Sequence, residues 1–227
     1  MNLKQIKEEA VLLFDKPYRW TSFDVVNKVK YASRAKVGHC GTLDPLASGL
    51  LILVTGKATK MVSSIQDAEK EYTGTITLGE TTASFDMENP VDQIYPTDHI
   101  TDELVRETAK TFVGIKEQMP PIFSAKKQGG KRYYDMAREG EEFVPVANVV
   151  DLKEFDVTDI VMPIVHFRIV CGKGFYVRSL ARDFGKALNS GAHLSALRRT
   201  RIGEYKVEDA WKIDEFVKAL KAEKDWR

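Results

Sequence analysis

The string GHCGTLDPLASGLL, residues 38–51, continues directly into ILVTG at 52–56. Leu50–Val54 is an unbroken apolar run closed by Thr55-Gly56, which is the pattern of a buried core strand. A chain that contains such a strand must cover it with other elements, so this run constrains the fold first. Just ahead of it stands one acid, Asp44, between Leu43 and Pro45. Pro45 disfavours the helical region for Asp44 and pushes its backbone towards an extended conformation. Gly38, Gly41 and Gly49 punctuate the approach and the exit, where small residues let another backbone or a ligand come close. A carboxylate on a constrained loop at the mouth of a core strand is a frequent mounting for a catalytic group. Taken alone, the Asp-Pro dipeptide reads as a turn.

The chain has 227 residues, 43% hydrophobic and 30% charged, with a net charge of +1. It is long enough for one large or two small domains with a proper core, and its composition is that of a soluble globular protein. It is not a polycation, so any RNA binding must rest on local clusters of basic residues. Two cysteines and four scattered histidines make neither a disulfide framework nor a zinc pattern. Cys40 lies beside Asp44 but has no general-base partner by spacing, and it is given a plain packing role. The N-terminal MNLKQIKEEA lacks an apolar signal core, and no apolar run approaches the roughly 20 residues of a membrane span. A cytoplasmic protein is expected.

Taken in order, Val11–Phe14 reads as a strand ending at Asp15-Lys16-Pro17. Ser22 reads as a helix cap, with Phe23, Val26 and Val29 at helical spacing through about Arg34. Lys28, Lys30, Arg34 and Lys36 read mostly as a solvated face of that helix. Ala58–Ile65 is a short helix, and Lys70–Leu78 alternates as a half-buried strand with Tyr72, Gly74, Ile76 and Leu78 on one face. Residues 79–100 read as a loop or small insertion, with Asp86 and Glu88 in a solvated acidic stretch. Thr101 caps a helix with Asp102 and Glu103 in its first turn, Leu104 and Phe112 apolar, and Gly114 at its end.

Further on, MPPIFSAKKQGGKRYYDMAREG sets Lys126, Lys127, Lys131 and Arg132 around Gly129-Gly130, ahead of Tyr133-Tyr134. A basic, glycine-hinged segment interleaved with aromatics suits looped RNA, and it equally suits an exposed helix-loop-helix. Val149–Val157 and Ile164–Cys171 read as strands. CGKGF then turns into a helix with the stripe Val177, Leu180, Ala181, Phe184 and Leu188. Arg178 falls in its first turn and by itself reads as a surface arginine. His193–Thr200 and Ile202–Val207 read as a hairpin with Arg198, Arg199 and Arg201 at the bend. Ile213–Ala222 closes the chain as an amphipathic helix.

The string GHCGTLDPLASGLL resembles the active-site motif of the TruB family of pseudouridine synthases, which modify the T-loop uridine of tRNA. KEYTGTITLG, SAKKQGGKRYYDMAREG, CGKGFYVRSLARD and LRRTRIG match the same family in the same order, so the resemblance runs from about Val11 to Gly203. It implies an α+β pseudouridine synthase fold, a mixed, mostly antiparallel central sheet flanked by helices, with a mobile RNA-binding thumb at about 119–147. It also implies roles for single residues. Asp44 is the essential carboxylate, and Arg178 forms an ion pair with it. Tyr72 lies against the flipped uracil, with Tyr176 and Leu197 bordering the same pocket. His39 supports the flipped nucleotide, and Lys127 contacts RNA. Cys40 stands where the family commonly has Thr. Many relatives carry a C-terminal PUA domain, whereas 24 residues follow Gly203 here. One catalytic domain over 1–227 without a PUA domain is expected.

The implied activity is isomerisation of uridine 55 of tRNA to pseudouridine. Such a reaction has no redox change and no group donor, so no cofactor and no metal is called for. Asp44 either attacks the sugar carbon or abstracts a neighbouring sugar proton, and the sequence leaves both open. The expected partner is the tRNA T-arm, with no membrane, no obligatory protein partner and a monomeric protein. Two alternatives stand beside this reading: an RNA-folding protein without chemistry, and a guide-dependent synthase subunit.

Overall fold

The computed structural model describes residues 3–124, 126–139 and 144–225. In chain order the elements are α1 (Leu3–Glu8), β1 (Glu9–Lys16), α2 (Ser22–Ser33), β2 (Val37–His39), β3 (Ala47–Gly56), α3 (Val62–Asp67) and β4 (Lys70–Leu78). Next come β5 (Glu80–Thr82), β6 (Val91–Ile94), α4 (Asp102–Thr111), β7 (Gly114–Gln118), β8 (Lys127–Gln128), β9 (Lys131–Arg132) and α5 (Tyr133–Arg138). The chain ends with β10 (Asn148–Val161), β11 (Ile164–Cys171), α6 (Val177–Ala187), β12 (Ala192–Ile202), β13 (Tyr205–Lys206) and α7 (Ile213–Asp225). The chain divides into two compact units, one of residues 1–72 with 197–227 and one of 73–196.

The first unit is built on β3. Along one edge it pairs antiparallel with β1, from Glu9 opposite Gly56 to Lys16 opposite Gly49. Its other edge is shared by β2, antiparallel, and by the end of β12, parallel, with Leu197 opposite Ala47. Strand β3 is buried on both faces, which is why its sequence is an apolar run rather than an alternation. Leu51 and Leu53 pack with Phe14, Val25 and Phe216 beneath α2 and α7. Leu50, Ile52 and Val54 face the other way, against Cys40, Ile65 and Ile202.

Helix α2 starts one residue earlier than the sequence suggests. Thr21 is the cap, in a capping box with Asp24, which frees Ser22 to be buried. The core stripe is therefore Val25, Val26 and Val29, and Phe23 is 65% exposed.

In the second unit β4, β11, β10 and β7 lie side by side, with β10 antiparallel to both β11 and β7. Phe155 of β10 packs edge-on against Phe112 after α4 and against Phe167 of β11, and its ring also meets Phe184 of α6. Gly74 of β4 leaves no room for a side chain, since a Cβ there would stand 2.3 Å from the Ala196 carbonyl oxygen. The α6 stripe is buried as expected. In α4 Val105 and Ala109 face inward, whereas Leu104 is exposed.

The stretch 79–100 is more ordered than its composition suggests. It holds an antiparallel hairpin of β5 and β6, and Asp86 is buried rather than solvated. The sheet is mixed and mostly antiparallel, with helices against it, as expected. Among the described residues no helix is long and apolar enough to cross a membrane.

Candidate active site

Asp44 sits on the loop joining β2 to β3, and every neighbour of its backbone is held. The Ser22 hydroxyl at the start of α2 accepts from the Leu43 N–H at 2.8 Å and donates to the Leu43 carbonyl at 3.1 Å. The Asp44 carbonyl accepts from Ala47 N–H at 3.0 Å, closing a turn through Pro45. The Pro45 carbonyl takes the Arg19 N–H at 2.8 Å. Asp44 itself is half-buried.

Lys16, at the end of β1, lies under this loop and is fully buried. Its ammonium donates to the carbonyls of Pro17 at 3.1 Å, Trp20 at 2.5 Å and Pro45 at 3.4 Å. Burial pushes Lys16 down to about 8, and the charge of Asp44 opposes that fall while Arg199 adds to it. Lys16 thus lies within electrostatic reach of Asp44. By sequence it reads only as part of a turn.

Arg199 also departs from the expected place. The turn after β12 falls at Gly203, so the three arginines lie within or at the end of the strand rather than at a bend. Arg199 is 2% exposed and binds both ends of the loop that carries Asp44. Its Nε donates to the Leu50 carbonyl at 2.8 Å, and its terminal nitrogens donate to Gly41 at 3.1 Å and Thr42 at 3.5 Å. Gly49 has φ +99°, and a Cβ there would come within 2.3 Å of the Arg199 carbonyl oxygen. That glycine is needed for both reasons. Arg198 makes a two-pronged pair with Asp15 at 2.9 and 3.0 Å, and Lys212 joins them. Burial acts to raise Asp15, but these two cations outweigh it and hold the carboxyl below its usual range. Arg201 pairs with Glu69 at 2.9 Å and lies 3.9 Å from Glu71. All three arginines therefore hold carbonyls or carboxylates of their own unit, and Arg199 alone of them is buried.

His39 ends β2 on the same loop. Burial and then Arg199 push its pKa below the ordinary value, so the ring is neutral at pH 7. Its Nδ1 is buried with no hydrogen-bond partner among the described residues. Cys40 is fully buried, and burial raises its thiol to about 11, which fits a packing role. Leu197 is half-buried opposite Ala47, three residues beyond Asp44, and Tyr72 is half-buried on β4.

Arg178, in the second unit, is not a surface residue. It is 6% exposed at the start of α6. Its guanidinium lies 3.6 Å from the Asp86 carboxylate and donates to the carbonyls of Ser84 at 3.3 Å and Phe123 at 2.9 Å. Tyr176, half-buried, exchanges two backbone hydrogen bonds with the Gln118 side chain. Ser179 binds the Met119 carbonyl at 2.7 Å, so the first turn of α6 is tied to the segment leading into 119–147.

In that segment β8 and β9 form a hairpin over Gly129-Gly130, both at positive φ. Tyr133 is fully buried, with its hydroxyl accepting from Val146 N–H and Lys126 over its ring. It is a core residue of the segment and not a free stacking face. Lys126 is held by Val146 and Asn148. The side chain of Lys127 lies outside the described residues, as does Ala125.

Among the described residues no group of three or more His, Cys, Asp or Glu is arranged to hold a metal ion. The first unit thus offers one carboxylate on a braced loop, with a buried lysine and a neutral histidine, and the second unit by itself holds a buried arginine with its own acid.

A family model described as TruB family pseudouridylate synthase (N terminal domain) matches residues 28–177, and one described as tRNA pseudouridylate synthase B C-terminal domain matches 178–226. The chain belongs to the TruB family of pseudouridylate synthases. It is 50% identical over 228 residues to the tRNA pseudouridine synthase B of Flavobacterium johnsoniae, covering 97% of this chain and 100% of the relative. It is also 50% identical over 221 residues to that of Phocaeicola vulgatus, covering 94% of each. Among solved structures, a chain of a Cbf5-Nop10-Gar1 complex is similar at a TM-score of 0.75 and 29% identity, over 96% of this chain and 56% of that one. A chain of an H/ACA RNP bound to a substrate RNA containing 2'-deoxyuridine gives 0.74 and 27%, over 98% and 56%. This chain spans about half of each of those two. These similarities bear out the expected pseudouridine synthase fold.

Proposed function

We propose that this protein isomerises the T-loop uridine of tRNA, position 55, to pseudouridine. The observation that carries this is Asp44 on its braced loop, in a chain half identical over nearly its whole length to two proteins named tRNA pseudouridine synthase B. In the reaction the bond from ribose C1' to uracil N1 breaks, the base turns, and C1' joins C5. The C5 proton leaves and N1 gains one, so atoms and electrons balance within the nucleotide. Asp44 serves either as nucleophile at C1' or as base for a neighbouring sugar proton. The target must leave its stack to be reached.

In this reading Arg178 pairs with Asp44. Tyr72, Tyr176 and Leu197 border the uracil, His39 supports the flipped nucleotide as a neutral ring, and Lys127 meets the backbone. The two units together make one catalytic domain, with 119–147 as a thumb that orders on RNA. The protein acts in the cytoplasm as a monomer without an obligatory protein partner. The stand-alone reading is favoured over a guide-dependent subunit because the relatives named tRNA pseudouridine synthase B are half identical, against 29% for the chain of the Cbf5-Nop10-Gar1 complex.

The test is to incubate purified protein with unmodified tRNA and map pseudouridine by chemical labelling. A single new pseudouridine in the T-loop is expected. RNA binding without product would leave only an RNA-folding role.

A further inference from the structure

Helices α2 and α7 of the first unit enclose a groove of about 800 Å³, away from the loop that carries Asp44. Its floor is apolar, with Ala35 and Leu220 buried. Lys28, Lys30, Arg34 and Lys221 line it, and no acid does. In a chain whose net charge is only +1, four cations without an acid are a local departure. The arginines of β12 are spent on carbonyls and carboxylates, whereas these four make no side-chain ion pair or hydrogen bond among the described residues. Tyr31 lines the same groove and is 89% exposed, so it adds nothing to the core and leaves its ring open to solvent.

We propose that this groove is a second RNA subsite, which holds two or three backbone phosphates of tRNA outside the stem-loop that meets Asp44, with a base stacked on Tyr31. The proposal rests on the tRNA reading above. Lys30 and Arg34 are one helical turn apart, about 6 Å along the axis, which is comparable to the spacing of successive phosphates on a strand. Unpaired ammonium and guanidinium groups release counterions from such phosphates on binding. Stacking on an exposed aromatic tolerates any base. Helix α2 begins at Ser22, which holds Leu43. Lys28 and Arg34 therefore lie about 9 and 18 Å along the helix from the catalytic loop, a reach of several nucleotides. An acidic protein segment is the competing occupant. The groove's place on the helix that clamps the catalytic loop favours the polyanion that the loop works on.

The test compares the wild-type protein with a Lys28→Gln, Lys30→Gln, Arg34→Gln variant and with Lys28→Arg, Lys30→Arg, Arg34→Lys. Affinity for unmodified whole tRNA is measured across a salt series. The neutral variant should bind about ten-fold more weakly, with a log–log salt slope shallower by about two to three, at 0.7 to 0.9 per phosphate. The charge-keeping variant should match wild type. In wild-type protein, tRNA should also shield Lys28, Lys30 and Lys221 from an amine-acylating reagent, a readout that needs no variant to fold. Unchanged slope together with unchanged acylation overturns the groove, as does protection that only an acidic protein confers. The two failures are separable, because wild-type protein that makes no pseudouridine defeats the function reading whatever the groove does.

Discussion

Arg178 and Asp86 are joined as a buried ion pair, Nε to Oδ2 at 3.6 Å, although 92 positions separate them in the chain. Both side chains are almost wholly out of water, and Asp86 also accepts the Glu88 N–H at 3.0 Å. The pair fixes the guanidinium together with two carbonyls, so the arginine is oriented before any RNA arrives.

Asp86→Asn should therefore destabilise the protein, because it removes the charge of one carboxylate that holds a buried guanidinium. Removal of one partner of a buried pair costs about 3–5 kcal/mol, and the two remaining carbonyl acceptors place this case at the low end. Urea unfolding measures it. An unchanged midpoint would mean that Asp86 does not hold Arg178.

Asp44→Asn keeps the size of the side chain and removes its charge. Product should vanish while tRNA affinity stays within a few-fold. Near-full turnover, with deamidation excluded by mass spectrometry, would remove Asp44 from the reaction.

Lys16 gives a pH signature. Its folded pKa is lowered to about 8 from 10.5. Between those values the unfolded chain holds a proton that the folded one has lost, so stability rises with pH across that window. Below pH 8 the lysine is charged in both states and its full burial cost is present. A ten-fold change in proton affinity corresponds to about 1.4 kcal/mol. Wild-type protein should gain on Lys16→Met by a few kcal/mol between pH 7 and 10.5, read from urea midpoints. A flat difference would mean that Lys16 titrates normally.

Arg199→Lys keeps the charge but cannot span Gly41, Thr42 and Leu50 together. The loop should loosen, with kcat falling ten-fold or more and KM changing little. Amide exchange at 40–47 should quicken in step. A loss confined to KM would count against a positioning role.

Much of this was legible in the sequence. Leu50–Val54 announced a buried strand because both faces of β3 are covered, and the α6 stripe showed its period plainly. The losses have physical reasons. Asp86 looked solvated because its partner is remote in sequence and brought near only by the fold. Arg199 reads as a bend residue because the pattern suggests a turn before Ile202 whereas the chain turns at Gly203, and burial of an arginine depends on carbonyls that no pattern displays. Phe23 fell off the core because it lies in the first turn after the Thr21 cap, where Val25 beside Val26 and Val29 fills the buried face instead. The β5–β6 hairpin was hidden because β6 is exposed along its whole length, so it carries no alternation to read.

The Ser22 hydroxyl that grips both sides of the Leu43 peptide has a mechanical consequence. It links the loop that carries Asp44 to the first turn of α2, while Arg199 links the same loop to β12, and both lead directly into the core around β3. Opening this loop would require breaking contacts of the most deeply buried part of the unit, where local opening approaches global unfolding in free energy. Asp44 is therefore a stationary anvil. In the reaction proposed above, the rearrangement that brings carboxylate and sugar together would then take place in the nucleic acid, and a substrate loop that is already loosely stacked should react faster than a stiff one of the same sequence.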